Sequence, residues 1–300
     1  MVGPGSLLAV QAQLVQPVYV RCDPHVQPAA GGLGGLGLAF LGRGGFVGQV
    51  AGAFDQAAAA LGAGATVGSK AVLSCGTAWV VYAVANAPVL DEFEQIPLCC
   101  HTDPLEWGLV LPFSGSSTYD WLRSTLKKRS STARGQTEPL VFIPHLYGGL
   151  SPDWRGESKG SLLGLSMAHT YEDIEVALMR GLGFEARRNL EAAERLCGPI
   201  PSVRMVGGAA KSRTWPQMIA DILARPLELS PILESACFGA AKLAAGPAAQ
   251  GWEDRHKARL LLPNPEAAKA MDREYVRYLR FYAALLPPYE EDARKPKRGI

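Results

Sequence analysis

Several ingredients that would assign a function outright are missing from this 300-residue sequence. No run of about 18 uninterrupted apolar residues occurs, which excludes an ordinary membrane-spanning helix. The six cysteines, Cys22, Cys75, Cys99, Cys100, Cys197 and Cys237, show no CxxC or Cys/His ligand spacing, so no zinc or other metal site is expected. Several sit inside apolar runs, where a free thiol behaves as a small hydrophobe, and a reduced, cytoplasmic setting is expected. Charge of one sign is also lacking. Thirty basic and 28 acidic residues leave a formal net charge of +2, without the concentrated basic face of a nucleic-acid binder. The one basic run, Arg294-Lys295-Pro296-Lys297-Arg298, lies in a tail spanning 288–300 and reads as a solvated chain end. Met1–Val15 is apolar but has no basic start, so no signal peptide is expected. What is present is 48% hydrophobic and 19% charged residues, the balance of a globular protein of one large or two ordinary domains.

The chain divides by composition. Residues 1–45 predict an irregular Gly/Ala-rich segment with a short strand or two before Val20, because glycine at the density of Gly31–Gly37 weakens helix and strand alike. From Phe46 the pattern is orderly. Phe46–Ala51 predicts a strand, residues 52–55 a tight turn, and Gln56–Gly62 a helix stopped near Gly64. Ala71–Leu73 and Trp79–Val84 predict a hairpin about Ser74-Cys75-Gly76-Thr77, and Leu98–Phe113 and Leu140–Leu146 predict one strand each. Tyr171–Leu196 places Ile174, Leu178, Leu182, Ala186, Leu190 and Ala193 on one face of a long helix, softened by Gly181 and Gly183. Val203–Val206 is an apolar strand, followed by helices over Thr214–Leu223, Glu234–Ala245 and Glu266–Leu286, with a strand at Leu227–Leu229. Strands alternating with helices in this way indicate an α/β fold.

Three local pieces suit phosphate chemistry. In the strand–Gly207-Gly208-Ala209-Ala210-Lys211-Ser212–helix run, small residues expose backbone N–H groups at the positive end of a helix; a structural turn and a nucleotide site are both open readings. Ser74-Cys75-Gly76-Thr77 is either a plain hairpin turn or a cradle offering N–H groups and the Thr77 hydroxyl to phosphate oxygens. Asp55 opens a small-residue helix, either as its N-cap or as a general base held at the mouth of a cleft.

Taken together, these pieces resemble the FGGY carbohydrate kinases, the family of xylulokinase, gluconokinase and glycerol kinase. The segment from Gly52 to Gly64 resembles that family's catalytic-Asp segment, and Ser74-Cys75-Gly76-Thr77-Ala78 resembles its second phosphate loop. Phe142-Ile143-Pro144-His145-Leu146 through Pro152 and Trp154, then Gly160 to Leu165, is similar to its FLPYLxGERxPxW stretch, and Asp173 through Glu185 continues the signature. Val206 to Ser212 with Trp215 is similar to its adenosine motif, and Glu234-Ser235-Ala236-Cys237-Phe238-Gly239-Ala240-Ala241 to the block that follows. The matches run in family order from about Val47 to Leu286.

The resemblance implies a ribonuclease H-like (actin-like ATPase) domain, a mixed sheet flanked by helices. It implies that residues 46–66 end a first domain with the catalytic Asp and a linking helix, and that residues 67–287 form the nucleotide-binding domain. By the same resemblance Asp55 accepts the proton of the attacking hydroxyl and Gln56 holds a neighbouring one. Gly76 and Thr77 contact the transferred phosphate, while Gly207, Gly208 and Ala209 line the nucleotide site, with Lys211 and Ser212 nearby. ATP and Mg²⁺ are implied, with a sugar, sugar acid or polyol as acceptor. The chain departs from the family pattern at Cys75, Ala78-Trp79, His145 and Arg180; His145 is expected to serve packing or hydrogen bonding. No DxGTxxxK-like phosphate loop stands in Met1–Gly45. The resemblance therefore implies a fragment lacking most of the first domain: a kinase completed by a second copy or a separately encoded half, or a non-catalytic nucleotide-binding fragment.

Overall fold

A computed structural model describes the backbone of residues 38–41 and 45–48, and residues 53–294 apart from 91–94, 104, 127–137, 233 and 253–256. The glycine run at 31–37 and the basic cluster at 295–298 lie outside the described residues. The chain forms two units, Met1–Ala51 and Gly52–Ile300. Within the first, β1 (Leu38–Leu41) pairs antiparallel with β2 (Gly45–Gly48). The irregular segment expected to run to residue 45 therefore contains a strand, because Leu38-Ala39-Phe40-Leu41 is apolar enough to pair with Phe46 and Val47 despite the surrounding glycines.

The second unit is built on a seven-stranded mixed sheet. Its strands are β3 (Ala71–Cys75), β4 (Trp79–Ala85), β5 (Leu98–Cys100), β6 (Trp107–Phe113), β9 (Val203–Gly207), β10 (Leu227–Leu229) and β11 (Arg259–Leu261), in the order β11-β10-β9-β3-β4-β6-β5. The β9 strand is parallel to both β3 and β10, and the remaining pairings are antiparallel. The single strand expected over Leu98–Phe113 is a hairpin, in which the Glu106 N–H donates to the Asp103 carbonyl at 3.2 Å between β5 and β6. A separate pair, β7 (Val141–Ile143) with β8 (Ser161–Leu163), lies beside it in sequence.

Strand alternation sorts the core onto two faces. Ala71, Leu73, Cys75, Trp79, Val81, Ala83 and Met205 face one side, where they meet α3 (Tyr171–Cys197) and α4 (Trp215–Leu223). Val72, Tyr82, Val84 and Val206 face the other, where Ala57, Ala60 and Ala63 of α1 (Asp55–Ala63) pack on them. The helix expected to link two domains is thus docked on the sheet. It ends at Gly64 in the left-handed conformation, whose N–H bonds back to the last turn. Across α1 lies α5 (Ser235–Ala245). A Cβ on Gly62 would stand 2.1 Å from the Ser235 carbonyl oxygen, and one on Gly239 1.8 Å from that of Ala58, so the two backbones touch where only hydrogen fits.

On the first face, α3 begins with a capping box: the Asp173 carboxylate accepts the Thr170 N–H at 2.7 Å and the Thr170 hydroxyl oxygen accepts the Asp173 N–H at 3.4 Å. Gly181, expected to soften this helix, lies within its unbroken span. A Cβ there would lie 2.2 Å from the Phe142 carbonyl oxygen, so the glycine lets β7 approach. Over α3 and α4 runs α6 (Pro265–Arg294), packing Met271, Tyr275, Tyr278 and Tyr282 against Phe184 and Ile222. It continues past its expected end at Leu286, with Pro287 and Pro288 inside it, and an Arg155–Glu290 ion pair at 3.1 Å ties down its last turns. The tail expected from residue 288 is therefore helical to Arg294.

Candidate functional site

Because β3 and β9 are parallel neighbours with Cys75 opposite Gly207, the two small-residue turns that follow them leave the sheet side by side at its carboxyl end. This is where open α/β sheets bind ligands. The first turn, Gly76-Thr77-Ala78, is exposed. The second begins at Gly207, which has φ +91° and would place a Cβ 2.6 Å from the Cys75 carbonyl oxygen; both the dihedral and the contact demand glycine. Gly208–Lys211 then form a single 3₁₀ turn. A Cβ on Gly208 would meet nothing within 4 Å, so this position opens on free space. Ser212 closes the turn by accepting the backbone N–H groups of Thr214 and Trp215, each at 3.3 Å, and so sets the start of α4. Lys211 is exposed.

An element with no sequence expectation braces the first turn. Helix α2 (Ser116–Thr125) points its N-terminus at it: the Ser116 N–H donates to the Gly76 carbonyl at 3.3 Å and the Ser117 N–H to that of Thr77 at 3.1 Å. The Trp79 indole N–H donates to the Ser116 hydroxyl at 3.2 Å. Gly115 permits this approach, for a Cβ there would lie 2.5 Å from Trp79 and 2.6 Å from Ala78. Beneath both turns Trp79 stacks edge-on with Phe113 at 6.0 Å and Trp215 at 5.1 Å, and Tyr119 of α2 meets Trp215 at 5.5 Å. The Tyr119 hydroxyl donates to Glu175, and burial together with that carboxylate pushes its pKa up to about 12. The signal that could have located α2 was Gly115 followed by Ser116-Ser117-Thr118, an N-terminal capping composition ahead of Leu122.

Asp55 stands at the first position of α1 and does not cap it; its carboxylate accepts the Gln56 backbone N–H at 2.8 Å and the Gln56 side-chain amide at 3.4 Å. The far end of α1 fixes its direction. The Ala63 carbonyl accepts from Arg204, near the start of β9, at 2.6 Å. The helix therefore runs antiparallel to β9, and Asp55 emerges at the same end of the sheet as the two turns. Asp55 is exposed, whereas the Gln56 side-chain oxygen is buried with no hydrogen-bond partner among the described residues. Such an acceptor suits a hydroxyl donor. Residues 55–56, 76–77 and 207–212 are thus gathered at one sheet end. Among the described residues no cluster of three or more His, Cys, Asp or Glu is placed to hold a metal ion.

His145, by contrast, belongs to the core. It is 2% exposed, with Nδ1 2.8 Å from the Ser158 hydroxyl and Nε2 3.4 Å from Glu185. Arg188 pairs with both Glu185 at 2.8 Å and Asp153 at 3.2 Å, the Tyr278 hydroxyl donates to Glu185 at 2.6 Å, and that of Tyr282 to Asp153 at 2.9 Å. Burial alone would raise the Glu185 carboxyl, but Arg188, His145 and Tyr278 hold it well below the usual carboxylate range. Arg180, another of the departures, bridges to Glu274 of α6 at 2.9 Å.

The C-terminal domain of the FGGY family of carbohydrate kinases matches residues 71–246. A xylulose kinase of Escherichia coli strain K12 is 31% identical over 214 residues, covering 66% of this chain and 44% of that protein. A gluconokinase of Bacillus subtilis strain 168 is 27% identical over 212 residues, 64% of this chain and 41% of that protein. Among solved structures, the xylulose kinase from Rhodospirillum rubrum superposes with a TM-score of 0.71 at 25% identity, covering 83% of this chain and 54% of that one. The chain spans less than half the length of these two curated relatives. No helix among the described residues is long and apolar enough to cross a membrane.

Proposed function

The chain belongs to the FGGY family of carbohydrate kinases, and we propose that its sheet end binds ATP and takes part in transfer of the γ-phosphoryl group to a hydroxyl of a sugar, sugar acid or polyol. The observation that carries this reading is the parallel pairing of Cys75 with Gly207, which sets two small-residue turns side by side. In the proposed arrangement Gly207, Gly208 and Ala209 line the nucleotide, with Lys211 and Ser212 nearby, while Gly76 and Thr77 contact the transferred phosphate through N–H and hydroxyl groups. Asp55 accepts the proton of the attacking hydroxyl, and Gln56 accepts a hydrogen bond from a neighbouring one through its unpartnered oxygen. Phosphoryl transfer needs little covalent work from a protein; the residues position the reactants and stabilise charge. Mg²⁺, when bound, would neutralise the developing charge on the phosphates, held mainly by them and by water.

The length of the relatives favours a second reading, in which this chain is the nucleotide-binding half and turns over only with a second copy or a separately encoded first half supplying the remaining acceptor contacts. ADP release measured over a panel of ketoses, sugar acids and polyols decides between them. Acceptor-dependent turnover that Asp55→Asn abolishes, with ATP affinity kept within about twofold, supports the first reading; ATP binding without turnover supports the second. Gly208→Val fills open space at the turn, so a folded variant with ATP affinity weakened at least about tenfold is expected. Unchanged affinity there would place the nucleotide elsewhere.

A further inference from the structure

Beyond β9, on the side of the Gly208–Lys211 turn away from β3, the sheet end carries a cleft of about 430 Å³ over β10 and β11. Ala210, Leu229 and Pro231 line it together with the cations Lys211, Arg213, Lys257 and Arg259. Among the described residues, no acidic one lines it. Elsewhere in the unit Arg155, Arg180, Arg187, Arg188, Arg204 and Arg225 pair with carboxylates. Around the cleft, none of the four cations has an ion-pair partner among the described residues. Two carboxylates of neighbouring elements are engaged elsewhere. Glu228 of β10 pairs with Lys70 at 2.7 Å and with Arg204, and Asp221 accepts from Gln217 at 2.9 Å and from the Asn264 N–H at 2.7 Å.

We propose that this cleft is a second anion site, distinct from the nucleotide turn but sharing its Ala210–Ser212 wall, and that it takes a small polyphosphorylated ligand. Two guanidiniums offer planar, paired donors to phosphate oxygens and the lysines add mobile point charges. A cleft lined by one sign of charge focuses the potential on an entering anion, and the apolar residues lining it accommodate whatever body carries the phosphates. Four cations exceed what a single carboxylate requires, which selects for at least two phosphate groups. The proposal stands whether or not the chain transfers phosphate.

The test is calorimetric titration of the full chain with inorganic pyrophosphate at fixed ionic strength, with and without saturating ADP, in the wild type and in the Arg213→Ala/Arg259→Ala double variant. The expected result is pyrophosphate binding that persists in the presence of ADP and weakens at least about tenfold in the double variant, with ADP affinity unchanged and far-ultraviolet circular dichroism preserved. Three outcomes would overturn the proposal: no pyrophosphate binding by the wild type, equal binding by the double variant, or displacement of pyrophosphate by ADP, which would make the cleft part of the nucleotide site. Should ADP not bind at all, the nucleotide reading fails while the pyrophosphate titrations of the two proteins still decide this one.

Discussion

On one face of the seven-stranded sheet, α1 and α5 meet through glycine and alanine, with Gly62 and Gly239 bringing backbone against backbone. On the other, α3 and α6 meet around charge: Glu185, Arg188 and Asp153, with the Tyr278 and Tyr282 hydroxyls donating to the two carboxylates and His145 Nε2 3.4 Å from Glu185. The first contact has few polar demands but no tolerance for volume, since a single methyl group has nowhere to go. The second tolerates shape better than it tolerates an unmatched charge, because an ion stripped of its partner in the core cannot be resolvated. The helix that Asp55 opens rides on the α1–α5 face, and His145 and Glu185 sit in the other. The two faces are thus expected to fail differently.

The largest effect is expected from Glu185→Ala, which leaves Arg188 buried with a weakened set of partners and should cost about 3–5 kcal/mol, read as a lowered denaturation midpoint. The same residue gives a pH signature. A carboxyl held below its ordinary value, 4.5 for Glu, contributes stability that is complete above that value and is lost as pH falls toward the folded pKa. Wild-type stability should therefore decline below about pH 4.5, and Glu185→Gln should flatten that decline; an unaltered acid limb would show that the charge network does not set it. Gly239→Ala comes next, at about 1–3 kcal/mol, as the helices separate to admit a Cβ. If it cost more than Glu185→Ala, the ranking of the two faces would be reversed. The smallest effect on stability is expected at the site. Ser116→Pro removes the N–H given to the Gly76 carbonyl and the hydroxyl that accepts the Trp79 indole N–H, at a first-turn position that tolerates proline. Stability should fall by about 1 kcal/mol, while ATP affinity falls several-fold through a loosened turn. Equal affinity in calorimetry would mean that α2 does not position the turn.

Much of this was legible in sequence wherever a local rule had no competitor. The four-residue spacing from Ile174 to Ala193 fixed α3, and the Gly64 stop and the Trp79–Val84 run placed α1 and β4 within a residue or two. Legibility failed where distant residues decide. Gly181 reads as a helix weakener until Phe142 is placed against it, and the helix expected to end at Leu286 runs on through Pro287-Pro288 to where Arg155 pairs with Glu290. Helix α2 is short and mostly polar, with only Thr118 and Leu122 buried, so no apolar stripe announces it.

For the candidate site the division is similar. The sequence by itself determined the residue types and their order: Asp55-Gln56 opening a small-residue helix, the Gly76-Thr77 turn, and the Gly207–Ser212 run between strand and helix. These follow from chain-local chemistry, in which missing side chains expose backbone donors. Only the tertiary structure decided that β3 and β9 are parallel neighbours, that α1 runs back along β9 to bring Asp55 to the same end, and that α2 closes on the first turn. Strand order and helix direction are set by burial summed over the whole sheet, a non-local quantity that no single segment of the chain contains.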